Sequence, residues 1–93
     1  MSIQSVEVGK ICRVFSQITT LTSAVACPSP SGTTVIFQPE GNSIRWRADG
    51  IAPTASVGHL VTAGTTVKFT GDLSKLQFIE VASSATLNVS VFE

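Results

Sequence analysis

From residue 33 onward the chain alternates between short apolar, β-branched segments and turn signals, and this spacing constrains the fold most. Turn-forming pairs such as Asp49-Gly50 and Gly71-Asp72 separate segments that recur about every 8 to 12 residues. No segment of helical length in this region repeats its apolar residues with a 3.6-residue period. The pattern therefore predicts an all-β domain, a small antiparallel β-sandwich of about seven short strands, either jelly-roll-like or Ig-like.

The predicted strands share alternating or β-branched apolar residues, and they span residues 12–20, 33–38, 43–48, 57–62, 65–70, 75–81 and 85–92. The strand over 33–38 is expected to stop at Pro39, and the segment 51–56 is expected to be a loop. Alternation places Leu87 and Val89 on one face of the last strand. We expect the core to contain Trp46, Phe69, Phe78, Leu87 and Val89.

Residues 1–32 are less regular than the rest, although 93 residues make a single domain, 1–93. Pro28 and Pro30 mark the segment 23–32 as a long loop. Three segments without an internal pattern, 3–8, 23–32 and 51–58, are the predicted contact regions for partners. Within and beside them we predict interface positions at Pro28, Pro30, Arg45, Arg47, Pro53 and Thr54.

Charged residues make up only 13% of the chain, against about 25% in an average soluble protein. Six basic and six acidic residues give a net charge of zero, which argues against nucleic acid or an acidic membrane as the main partner. No apolar run reaches the length of a transmembrane helix, and no secretory signal is visible at the N-terminus. We therefore expect the chain to be made in the cytoplasm. A surface with so few charges favours association with other protein chains.

The sequence offers little for catalysis, so we expect a protein that is not an enzyme and needs no cofactor. His59 is the only histidine, and no Gly-x-Ser-x-Gly motif surrounds any serine. Asp49 and Asp72 occupy turn positions, where aspartate is common for conformational reasons alone. Cys12 and Cys27 lack metal-ligand spacing with His59 and are expected to be buried thiols, with a disulfide as the alternative.

The segment Arg45-Trp46-Arg47 allows three interpretations. Alternation places both guanidinium groups on one face and the indole on the other, so the three side chains should not share one nucleic-acid site. The arginines can pair with nearby acids such as Asp49 or Glu80, or they can cross a subunit interface, where arginine is enriched.

Four stretches resemble a group of small proteins encoded among the structural genes of tailed bacteriophages. They are the Arg-x-Arg-x-Asp-Gly-x-x-Pro-Thr pattern at 45–54, Ala63-Gly64, the Gly-Asp-Leu turn at 71–73, and Ala-Thr-Leu-Asn-Val at 85–89. The resemblance covers roughly the last 60% of the chain. It implies a virion component with a β-sandwich fold that decorates the head or belongs to the head–tail or tail region.

Low charge and the resemblance lead to the same expectation: a phage virion structural protein, a homo-oligomer bound to other virion proteins. Its partners would be copies of itself and virion proteins, with no nucleic acid and no membrane. The alternative is a small β-sandwich module that binds carbohydrate or a host surface. The predicted loops argue against that alternative, because they offer mainly serine, proline and threonine.

Overall fold

The computed structural model describes residues 11–28 and 31–92. This part of the chain contains eight β-strands and one 3₁₀ turn, which confirms the predicted all-β class. The strands are β1 (Cys12–Ile18), β2 (Val25–Ala26), β3 (Thr34–Glu40), β4 (Ile44–Arg47), β5 (His59–Val61), β6 (Val67–Thr70), β7 (Gln77–Glu80) and β8 (Thr86–Phe92).

The eight strands form two antiparallel four-stranded sheets: sheet 1 has the order β1-β8-β3-β6, and sheet 2 has the order β2-β7-β4-β5. Pairing runs from the outside of the sequence inward, with β1 beside β8, β2 beside β7, β3 beside β6 and β4 beside β5. This nested pairing, divided over two sheets, is the jelly-roll arrangement. Of the two predicted kinds of sandwich, the structure is therefore the jelly-roll kind.

The core lies between the sheets and is formed by alternate residues of each strand. In β8 the residues Leu87, Val89 and Val91 point inward and the polar residues between them point outward, as the sequence alternation predicts. Phe78, Leu87 and Val89 are fully buried, whereas Trp46 and Phe69 are only partly buried and pack against the core from its margin. The other buried apolar side chains are Leu21, Cys27, Val35, Phe37, Ile44, Val61, Leu73, Leu76, Ala85 and Val91.

β3 differs from its predicted bounds, because it continues through Pro39 to Glu40. Pro39 pairs with Leu87 of β8, while the pairing of β3 with β6 ends at Phe37. On the β6 side the missing N–H of Pro39 therefore lies beyond the end of the ladder, where it interrupts no strand pairing. The prediction that the strand stops at Pro39 is wrong for this reason.

Two further differences lie in the first third of the chain. β2 falls inside the segment predicted as a loop over 23–32, where two residues pair with Phe78 and Gln77 of β7. The register of β1 against β8 shifts between Cys12 and Val14. This irregularity separates Cys12 from the inward-facing Val14 and Ile18, and Cys12 is exposed rather than buried.

Candidate functional site

An open cleft of about 630 Å³ lies at one lateral edge of the sandwich. On this side sheet 1 ends with β6 and sheet 2 ends with β5. The lining combines residues from the end of β4, the following loop, the start of β5, and β6: Trp46, Arg47, Ala48, Asp49, Val57, Gly58, His59 and Phe69. The cleft exists because two edge strands of different sheets leave the margin of the core uncovered.

Three aromatic rings form one wall of this cleft. Trp46 and His59 are register partners on β4 and β5, and their ring centroids are 4.7 Å apart. Phe69 reaches Trp46 from the opposite sheet at 5.7 Å in an edge-to-face arrangement. Trp46 also contacts the buried Phe37 at 5.8 Å, so the wall is supported directly by the core.

An ion pair provides the polar part of the lining. The guanidinium of Arg47 donates from Nε to Oδ1 of Asp49 at 3.1 Å, and from Nη2 to Oδ2. The bond from Arg47 lowers the pKa of the Asp49 carboxyl, and the N–H of Ile51, which donates to the same carboxylate, lowers it further. Arg47 therefore uses one of the two acids that the sequence suggested. The guanidinium and the carboxylate are thus joined by two parallel hydrogen bonds between groups of opposite charge.

Trp46 and Arg47 line the same cleft, although strand alternation places their side chains on opposite faces of β4. That the indole and the two arginines share no nucleic-acid site stays a prediction. β4 ends at Arg47. Arg47 still pairs with Gln77 of β7, and its guanidinium bonds Asp49 in the loop that follows, where both residues line the cleft. Arg45, inside the strand, is absent from the lining.

Arg45 holds the loop that forms the outer wall. Its Nε donates to the carbonyl of Ala55 at 3.0 Å and its Nη1 to the carbonyl of Gly58 at 2.9 Å. Gly58 has a φ of +136°, and a Cβ there would lie 3.1 Å from Cβ of Arg45 and 3.2 Å from the carbonyl oxygen of Trp46. The loop thus approaches β4 closely at a point that requires glycine.

The same loop is ordered from within by Thr54. Its hydroxyl accepts hydrogen bonds from the N–H groups of Ser56 at 3.2 Å and Val57 at 3.0 Å. Pro53 is buried beneath this turn. Pro53 therefore does not present the contact surface predicted for it, whereas Thr54 is exposed.

The other predicted contact regions lie apart from the cleft or outside the described residues. Pro28 is partly buried beside Cys27, whose thiol contacts its carbonyl oxygen at 3.4 Å. Pro30 and the segment 3–8 lie outside the described residues. The segment 51–58 contributes Val57 and Gly58 to the lining of the cleft, at the end of the loop just described.

Nothing in the described part of the chain assembles a metal site: no group of three or more His, Cys, Asp or Glu side chains is close enough to hold an ion. Cys12 and Cys27 are both free thiols. Burial raises the pKa of Cys27 to about 11. Asp72, the other turn aspartate, accepts from the hydroxyl and the N–H of Ser74, and these bonds lower its pKa.

Sequence reasoning identified Trp46 and Arg47 but assigned no role to His59, Val57 or Asp49 in a shared site. These residues come together only because β4 and β5 are neighbours and β6 ends the facing sheet.

Between residues 11 and 92, leaving out 29–30, no helix has the length and hydropathy needed to cross a bilayer. Comparison with protein-family models, curated proteins and solved structures finds no match to this chain.

Proposed function

We propose that this chain is a structural subunit of a bacteriophage virion, used in capsid decoration or in head–tail or tail assembly. It acts through protein–protein contacts with copies of itself and with other virion proteins. The observation that carries the proposal is a set of large apolar side chains left in water: Ile11, Phe15, Ile51, Val57 and Leu60, each 52–64% exposed. Ile11 and Phe15 lie in or beside β1, whereas Ile51, Val57 and Leu60 lie in or near β5 at the opposite edge. Large apolar side chains on a low-charge surface favour contact with another protein.

β1 is the strongest candidate contact surface. It is a seven-residue strand that ends sheet 1 among the described strands, and its outward-facing Phe15 is 63% exposed. The register across the sheet places Phe15, Ser90, Ile36 and Lys68 in one outer row, which carries a single charge. An edge strand of this length, in which Arg13 is the one charged residue, favours addition of another strand.

Two further considerations agree with an assembly subunit. The jelly roll is an architecture of viral capsid domains, although it also occurs in lectins and enzymes, so this support is by analogy. The resemblance of residues 45–89 to small phage structural proteins points the same way.

The proposal is tested by light scattering on the purified chain and by mass spectrometry of phage particles. We expect a defined mass that is a multiple of 9.7 kDa, and stoichiometric copies of the chain in the particles. Phe15→Lys should dissociate the oligomer or weaken it at least tenfold. Ala63→Lys adds the same charge in the turn at the opposite lateral edge and should leave the oligomer intact.

A chain that stays monomeric at millimolar concentration and is absent from the particles contradicts the proposal. Equal effects of Phe15→Lys and Ala63→Lys would contradict the role given to β1, because the added charge alone would then explain the loss.

A further inference from the structure

We propose that the cleft between β5 and β6 is a binding site for a neutral carbohydrate. This site goes beyond the assembly role and does not depend on it. The cleft lies at the β5–β6 edge, whereas β1 lies at the opposite edge of its sheet. Its volume, about 630 Å³, falls in the range of about 300–1,000 Å³ that holds small ligands.

The aromatic wall supplies the surface on which a sugar ring can stack. The face of an aromatic ring is electron-rich, and the C–H bonds on one face of a pyranose carry partial positive charge. The ring centroids of His59 and Phe69 lie 4.7 Å and 5.7 Å from that of Trp46 along this wall. His59 is exposed and Trp46 is only partly buried, so apolar ring surface remains open to a ligand.

The ion pair of Arg47 and Asp49 supplies the polar contacts. A sugar hydroxyl both donates and accepts, so neighbouring hydroxyls can bond a carboxylate and a guanidinium at once. Because Arg47 is already bonded to Asp49 through two nitrogens, the pair is neutral as a unit. An anionic ligand such as a phosphate therefore gains no net electrostatic attraction from the pair, which favours a neutral ligand over a nucleotide or an acidic peptide.

The outer wall is fixed before a ligand arrives. Arg45 bonds two carbonyl oxygens of the loop, at Ala55 and Gly58, and Thr54 bonds two of its N–H groups. A wall held by four hydrogen bonds loses little conformational entropy when a ligand binds. Val57, at the rim, is 52% exposed and offers apolar surface to the edge of a sugar ring.

The chain carries its own reporter, since Trp46 is its only tryptophan. The full chain is titrated with a panel of neutral monosaccharides and disaccharides, and Trp46 is followed by its fluorescence and its single indole N–H resonance. We expect saturable shifts from at least one sugar, with a dissociation constant of about 0.1–1 mM. Parallel titrations use a nucleoside and a proline-rich peptide.

Asp49→Asn removes the charged acceptor and should weaken binding by about tenfold or more. His59→Ala removes an exposed ring and should weaken it by about two- to tenfold. Asp72→Asn is the matched control, because it neutralises another exposed turn aspartate that bonds only Ser74 in its own turn. It should bind as the parent does, and thermal melting verifies that all three variants are folded.

Three results would overturn the assignment: no saturable shift with any sugar at tens of millimolar, a shift that Asp49→Asn and His59→Ala leave unchanged, or saturation by the nucleoside or the peptide alone. Because Phe15→Lys lies at the far edge, it should leave sugar binding unaltered. The carbohydrate site and the oligomer can therefore fail separately.

Discussion

Phe37 and Phe15 are two phenylalanines that the fold places in opposite environments. Phe37 is fully buried, with its ring 4.9 Å from that of Phe78, whereas Phe15 is 63% exposed. A buried aromatic side chain withdraws about 150–250 Å² from water, worth about 4–6 kcal/mol at roughly 25 cal/mol per Å². Alanine keeps the Cβ, so Phe37→Ala should lower the free energy of unfolding by about 3–5 kcal/mol.

Phe15→Ala makes the same chemical change at a position where little more than a third of the phenylalanine surface is buried. Extended-chain reference areas overstate burial, so we expect a loss of about 1 kcal/mol or less. In a domain of this size each kcal/mol shifts the melting temperature by about 4–8 °C. Phe37→Ala should thus melt about 12–40 °C below the parent, and Phe15→Ala within several degrees of it.

Urea denaturation and thermal melting at micromolar protein measure both losses. Equal losses for the two variants would refute the assignment of Phe37 to the core and of Phe15 to the outer face. A large loss for Phe15→Ala that grows with protein concentration has a different meaning, because it shows that association stabilises the folded chain.

Two further predictions concern close packing and the thiols. Gly32→Ala should destabilise the fold by about 1–3 kcal/mol, because the new Cβ would lie 2.4 Å from Cγ1 of Val91 and 2.9 Å from the carbonyl oxygen of Phe92. Urea denaturation measures this, and Gly32→Ala combined with Val91→Ala should lose less stability than the sum of the two single losses, because removing the Val91 methyls relieves one of the clashes. A disulfide-exchange reagent at neutral pH should label the exposed Cys12 rapidly and Cys27 only after unfolding. Since burial raises the folded pKa of Cys27 from 9.0 to about 11, stability should be full below pH 9 and fall as the pH rises towards 11. Cys27→Ala should remove this pH dependence, and equal labelling of both thiols in the folded chain would contradict the buried position.

Much of the fold could be predicted because strand alternation reports directly which face a residue occupies. In β8 the polar residues separate Leu87, Val89 and Val91, and the structure places these three in the core. The two-residue strand β2 is too short to carry any pattern, so only its pairing with β7 reveals it. The exposure of Cys12 depends on a register shift in β1 that no local sequence pattern predicts.

The candidate site was much less predictable from the sequence. Alternation predicts which face of a sheet a residue occupies, but it does not predict how close its strand lies to the edge of that sheet. Trp46 was expected in the core, and it does point towards it. β4 has only β5 beyond it, however, so the indole lies at the margin of the sandwich and is partly open to water. Strand order is a non-local property, and the cleft depends on it.

The inner position of β8 determines when the fold can be completed during synthesis. Among the described residues, β1 pairs with β8 alone and β3 pairs with β8 along its whole length, so sheet 1 stays incomplete until β8 has emerged from the ribosome. Every strand of sheet 2, by contrast, lies before residue 81 and can pair earlier. Until β8 emerges, a nascent chain therefore has only half of its sandwich assembled and exposes the apolar face that β8 later covers, which is the stage at which misassociation is most favoured.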